Sequence, residues 1–130
     1  MTLTIDEWLE GYRRAWEEAD DDAVVELFTE DAEYLSYIYD EPHRGRDGVR
    51  AYWQGVTSTQ SNVAVRMGRP IVDGDRVAAE WWTTMENDGS PVTLSGCLLG
   101  EFDAAGLCRR LREYWNLADG AHVPPPVWGT

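Results

Sequence analysis

Apolar residues recur at three- and four-residue intervals at Ile5, Trp8, Leu9, Tyr12, Ala15 and Trp16, the spacing of one face of an amphipathic helix. Thr4 precedes that run, and Glu7 follows it by three positions, the arrangement in which each side chain bonds the other residue's backbone N–H. A helix over residues 5–19 is therefore predicted. Asp20, Asp21 and Asp22 read as the cap and first turn of a second short helix over residues 23–28, because carboxylates at a helix N-terminus oppose its dipole. The competing reading of this acidic run is a metal site. Over residues 32–39 the pattern turns aromatic and β-branched, with Tyr34, Tyr37, Ile38 and Tyr39. That predicts a strand, ended by Glu41-Pro42. Helical spacing returns over residues 45–58 with Val49, Tyr52, Trp53 and Val56.

The second half is strand-like over residues 63–72, 76–85, 92–102 and 107–117, joined at Asp73-Gly74, Asn87-Asp88-Gly89 and Ala104-Ala105-Gly106. Turn residues at such intervals predict an antiparallel meander. Gly96 and Gly100 within one strand point to bending or close approach there. Helices first and sheet afterwards give an α+β class, with the helices on the concave face of the sheet. The 130 residues fit one domain, placed over residues 1–117. A tail over 118–130 follows, in which Pro124, Pro125 and Pro126 cannot join a ladder and are expected to lie on the surface.

Composition narrows the partners. The net charge is −13 and every one of the 11 basic residues is arginine, which argues against nucleic acid and anionic membranes, since both need a basic face. No apolar window approaches the roughly 18 residues of a membrane span, and MTLTIDEW carries no leader pattern, so a cytoplasmic location is expected. With a two-residue link at Ala104-Ala105, Cys97 falls opposite Arg112 and Cys108 opposite Glu101, too far apart for a disulfide; both read as small apolar fillers. No Gly-rich nucleotide loop and no His/Cys ligand set appears, so neither a cofactor nor a metal is expected.

Several phrases together resemble the SnoaL-like branch of the nuclear transport factor 2-like superfamily. They are Leu27-Phe28 before Asp31-Ala32, Gly45-Arg46 leading to Tyr52-Trp53, Gly74-Asp75-Arg76-Val77, and Phe102-Asp103 with Gly106 before Tyr114-Trp115. The resemblance runs to Leu117. It implies a cone in which a strongly curved antiparallel sheet wraps around N-terminal helices and encloses a pocket. The superfamily includes polyketide cyclases, a steroid isomerase, limonene epoxide hydrolase and dehydratases, beside binding domains without known chemistry, so fold alone does not fix function. Laid on ketosteroid isomerase, Tyr12 falls on the oxyanion-binding tyrosine, and Trp16, Tyr52 and Trp53 fall on pocket positions. The isomerase's base aspartate falls on Ser36 and its oxyanion aspartate on Leu98, so that pair of carboxyl groups is missing.

Strand side chains alternate faces. With Trp115 inward, Glu113 and Leu111 share its face, and the two-residue link puts Leu98 opposite Leu111, Gly96 opposite Glu113 and Leu94 opposite Trp115. Trp81 joins them from the neighbouring strand. Glu113 is the predicted acid or base, because burial among Trp115, Trp81 and Leu98 would raise its pKa toward neutrality; the alternative is that it pairs with an arginine or faces solvent. Tyr12 is a candidate donor to a ligand oxygen, or a packed helix tyrosine. His43, beside the Glu41-Pro42 break, is a second acid/base candidate, or an exposed loop residue. Trp82 and Glu80 fall on the outer face, and an exposed tryptophan there suggests a homodimer. The functional expectation is a protein for a small hydrophobic molecule: a cofactor-independent cyclase, isomerase, dehydratase or epoxide hydrolase type, or else a non-catalytic binding or dimerising module.

Overall fold

The Thr4–Glu7 pair forms the reciprocal cap that its spacing implies, with Thr4 N donating to Glu7 Oε1 at 2.9 Å and Glu7 N to Thr4 Oγ1 at 3.1 Å. It opens α1 (Ile5–Glu18), whose face of Trp8, Leu9, Tyr12, Ala15 and Trp16 is buried. The structure is a computed structural model and describes residues 2–130. Ala19 adopts the left-handed conformation and ends α1, and Asp20 caps α2 (Asp21–Val25) through the Ala23 amide. This second helix is shorter than the predicted 23–28, because Leu27 and Phe28 already lead into the sheet. The acidic run is tied to α3 (Gly45–Thr57): Arg50 reaches Asp21 at 2.7 Å and Asp22 at 2.5 Å.

The first strand, β1 (Phe28–Leu35), begins and ends four residues before the predicted 32–39. Its buried positions Phe28, Ala32 and Tyr34 carry the pattern. Tyr37 instead enters a turn, its carbonyl accepting from Asp40 N, and Tyr39 is 84% exposed; this aromatic run is loop rather than ladder. A short β2 (His43–Arg44) pairs with β1. The predicted strand 63–72 is two strands, β3 (Gln60–Met67) and β4 (Ile71–Asp73), because Pro70 has no N–H for a ladder. They are followed by β5 (Arg76–Asn87), β6 (Ser90–Phe102) and β7 (Cys108–Asp119).

The sheet order is β2-β1-β7-β6-β5-β3, with β4 also on β5. β5, β6 and β7 form the expected antiparallel meander. β1, however, lies parallel to β7, so the sheet is mixed rather than wholly antiparallel. The curved sheet stays open, and the helices pack on its inner face: Trp8, Tyr12 and Trp16 of α1 and Val49 and Trp53 of α3 belong to the same core as Trp81, Leu98 and Leu111.

The hairpin register differs from expectation. Asp103 N bonds Leu107 O, and the Asp103 carboxylate accepts from the amides of Ala105 and Leu107, so the turn is longer than the two-residue link. Pairing slides by two, putting Leu98 opposite Glu113, Gly96 opposite Trp115, Leu94 opposite Leu117 and Cys97 opposite Tyr114, while a bulge after Glu101 puts Cys108 opposite Phe102. An even slip preserves which side chains share a face. Both cysteines are free thiols.

β7 takes in Ala118 and Asp119, so the first two tail residues belong to the sheet. The rest crosses the outer face. The Trp82 indole donates to His122 O at 2.9 Å, Trp128 packs edge-on against Trp82, and Arg66 lies 5.1 Å over the Trp128 ring. Trp82 is thus half-buried, with the chain's own tail packed against it. Among the described residues no helix is long and apolar enough to cross a membrane.

Candidate functional site

Register and a missing side chain place the acid. Trp81 and Trp115 are both paired to Gly96, where a Cβ would collide with the Trp81 indole and the Tyr114 carbonyl. Glycine at this point lets the indole lie flat across β6. Its Nε1 then donates to Glu113 Oε2 at 2.7 Å. From the helix side the Tyr12 hydroxyl donates to Glu113 Oε1, also at 2.7 Å. The Tyr12 ring is held by stacking on Trp8, with centroids 5.1 Å apart, and by the edge of Trp53 at 5.5 Å. Its oxygen lies 2.8 Å from the Tyr34 hydroxyl. A hydroxyl has one proton, so Tyr34 donates to Tyr12 while Tyr12 donates to Glu113.

Glu113 is 5% exposed, and among the described residues it takes part in no ion pair. Burial pushes its carboxyl up to about 7, with the Tyr12 and Trp81 hydrogen bonds pulling the other way. Burial, reinforced by the neighbouring Glu113, also drives Tyr12 and Tyr34 well above the ordinary phenol value. The phenols therefore act as donors, and the carboxyl is the group that titrates near neutrality.

Glu113 opens onto a cavity of about 230 Å³. Of the predicted site residues, Tyr12, Trp16, Tyr52, Trp53 and Trp81 line it. Ser36 and Trp115 also line it and are joined, the Trp115 indole donating to Ser36 O at 2.8 Å. Trp115 is 38% exposed and stands at the opening. Three predicted residues lie elsewhere. Leu98 and Leu111 share the inner face but are fully buried in the core and do not line the cavity. The slipped register sets Leu98 level with Glu113 and Leu111 beyond it, toward the closed end. His43 sits behind the wall, its ring 4.6 Å from that of Tyr52 and its Nε2 3.4 Å from Ser36 Oγ; burial lowers its pKa. The donation from Tyr12 to a ligand oxygen is not the bond this tyrosine makes, since its proton is committed to Glu113.

Tyr34, Gln60 and Asn87 line the cavity without having been singled out from the sequence. Tyr34 alternates with Ala32 on the buried face of β1, but its closeness to Glu113 depends on the parallel pairing of Tyr34 with Leu111, which no local pattern signals. Among the described residues no three His, Cys, Asp or Glu side chains come together as metal ligands would.

Solved structures share this architecture. SalBIII, described as an epoxide hydrolase/cyclase-like enzyme with a role in pyran ring formation in the polyether salinomycin, matches with a TM-score of 0.77 and 24% identity over 88% of this chain and 94% of its own. A protein with a ketosteroid isomerase-like fold from Catenulispora acidiphila, in complex with trimethylamine, gives 0.75 and 19% over 88% and 86%. RV0760c from Mycobacterium tuberculosis gives 0.76 and 18% over 87% and 93%. At these identities the likeness is one of fold. Among curated proteins none matches this chain. The SnoaL-like domain family matches residues 9–111, and with the curved sheet and N-terminal helices in place the chain belongs to that family.

Proposed function

We propose that this protein is a cofactor-independent acid/base enzyme for a compact hydrophobic molecule, with Glu113 as its general base. The observation that carries the reading is a buried carboxyl with no cationic partner among the described residues, held by Tyr12 and Trp81 at the wall of an aromatic cavity. A base is most effective with its pKa near the working pH, and Glu113 stands at about 7. In its ionised form it takes a proton from a substrate C–H or O–H and returns it at another atom, while the Tyr12 and Trp81 bonds keep the carboxylate in place. The epoxide hydrolase/cyclase-like description of SalBIII favours ring opening, closure or isomerisation as the reaction class. A non-catalytic binding module would be expected to neutralise Glu113 with an arginine, and the hydrogen bonds to the carboxyl come from a phenol and an indole instead.

A homodimer through the outer sheet, expected from Trp82, would meet a patch already occupied by the tail. A second copy would have to displace residues 120–130 or use the flank beyond them. Two free cysteines fit a reducing compartment, and with it a cytoplasmic location.

The test is turnover of a panel of small epoxides, enolisable ketones and hydroxy-ketones by wild type and Glu113→Gln. Glu113→Gln is expected to lose activity by about 10²- to 10⁴-fold, and in the wild type kcat/KM should rise with pH through a midpoint of about 7. Equal turnover by the two proteins would remove Glu113 from the chemistry.

A further inference from the structure

Gln60 and Asn87 are Cα partners across β3 and β5, which sets their side chains next to each other on one face, and both line the cavity. An indole N–H can only donate. The 3.0 Å bond from Trp16 Nε1 therefore takes the Gln60 oxygen and leaves its amide nitrogen over. Asn87 Oδ1 accepts from Thr59 Oγ1 at 2.7 Å, a hydroxyl whose other contact, to Val56 O, is longer at 3.5 Å. Among the described residues neither amide nitrogen has a hydrogen-bond partner. Both amides are half-buried, so a ligand reaches them without unfolding anything.

The pair sits at the opposite end of the cavity from the acid. Trp81, whose indole holds Glu113, and Asn87 are both on β5, and Trp16, which bonds Gln60 at 3.0 Å, packs edge-on against Trp81 with ring centroids 5.2 Å apart. Met85, Leu94 and Leu117 line the wall between them. The cavity thus has a carboxyl at its inner end, two outward amide donors at its mouth, and apolar walls.

We infer that the Gln60–Asn87 pair is a subsite for a neutral carbonyl oxygen at the outer end of a compact apolar ligand whose inner end reaches Glu113. This rests on the reading of the cavity as a ligand site. Amide N–H groups donate, so they select an acceptor. Among the described residues no arginine or histidine lines the cavity, and the chain carries −13 overall. A carboxylate would enter without a counter-charge, whereas a ketone, ester, lactone or amide oxygen would not need one.

The experiment compares para-acetylbiphenyl with para-ethylbiphenyl, rods of the same shape differing in one carbonyl, by tryptophan fluorescence titration of the full chain. The ketone is expected to bind about fivefold tighter, the worth of a neutral hydrogen bond, and biphenyl-4-carboxylate to bind more weakly than the ketone. Gln60→Glu keeps an acceptor for the Trp16 indole and replaces the free donor with oxygen. It should abolish the ketone's advantage over the hydrocarbon, and so should Asn87→Leu at the half-exposed end of β5. Equal binding of the two rods by wild type overturns the subsite but leaves the cavity reading standing. A ketone preference that survives both substitutions also overturns it. Failure of both rods to bind overturns the cavity reading together with it.

Discussion

Glu113 differs from the chain's other acidic residues through its surroundings. It is 5% exposed, and burial outweighs the stabilisation of the charged form by Tyr12 and Trp81. The consequence for stability follows from proton linkage. Between the ordinary carboxyl value of 4.5 and about 7, the folded protein holds a proton that the unfolded chain has released, so folding stability falls as pH rises through this window and levels off above it. The loss is on the order of 3 kcal/mol. Glu113→Gln, which keeps a neutral side chain of the same shape, should lack this component. Urea denaturation at a series of pH values should therefore show the variant gaining on the wild type between these limits. Parallel stability curves for the two proteins would contradict the assignment of Glu113 as a buried acid.

At the scale of the element, the site depends on how β5, β6 and β7 are set against each other. Gly96 is the point where a side chain is forbidden, because a Cβ there would meet the Trp81 indole. Gly96→Ala is expected to push Trp81 off β6, remove one donor from Glu113 and cost about 1–3 kcal/mol through overpacking. Chemical denaturation checks this, and an unchanged midpoint would mean that the indole does not lie across the glycine. The same elements show what a sequence discloses. Alternation placed Glu113, Trp81 and Trp115 on one face, and that assignment survives because the hairpin slipped by an even number of residues. The slip itself was hidden in the turn, where the Asp103 carboxylate caps two amides and lengthens the loop. The 3.6-residue spacing put Tyr12, Trp16, Tyr52 and Trp53 on helices, and the resemblance to ketosteroid isomerase, not the spacing, put them at the pocket. The role of Tyr34 was not, since β1 reaches β7 only by a long-range parallel pairing, and local patterns carry no information about such partners. Leu98 and Leu111 illustrate the opposite error, in which the correct face lies beyond the end of the cavity.

The whole molecule adds two features that act on the site from a distance. The tail closes the outer face over Trp82 and Glu80, with Gly129 N donating to Glu80 Oε1 and Arg69 N to Gly129 O, and so braces β5 from the side opposite Trp81. The net charge of −13 sets up a negative field that by itself raises carboxyl pKa values, but such a field is screened by salt over about 10 Å at 0.1 M. Burial is not screened. The two causes are therefore separable, and the separation bears on the central claim that a desolvated carboxyl at the wall of an aromatic cavity is poised near neutrality. The most direct measurement is a carbon-13 NMR titration of the Glu113 side-chain carboxyl in the folded full chain, at low and at high salt. The expected result is a midpoint of about 7 in both. A midpoint near the ordinary 4.5, or one that falls toward it as salt is added, would contradict the account.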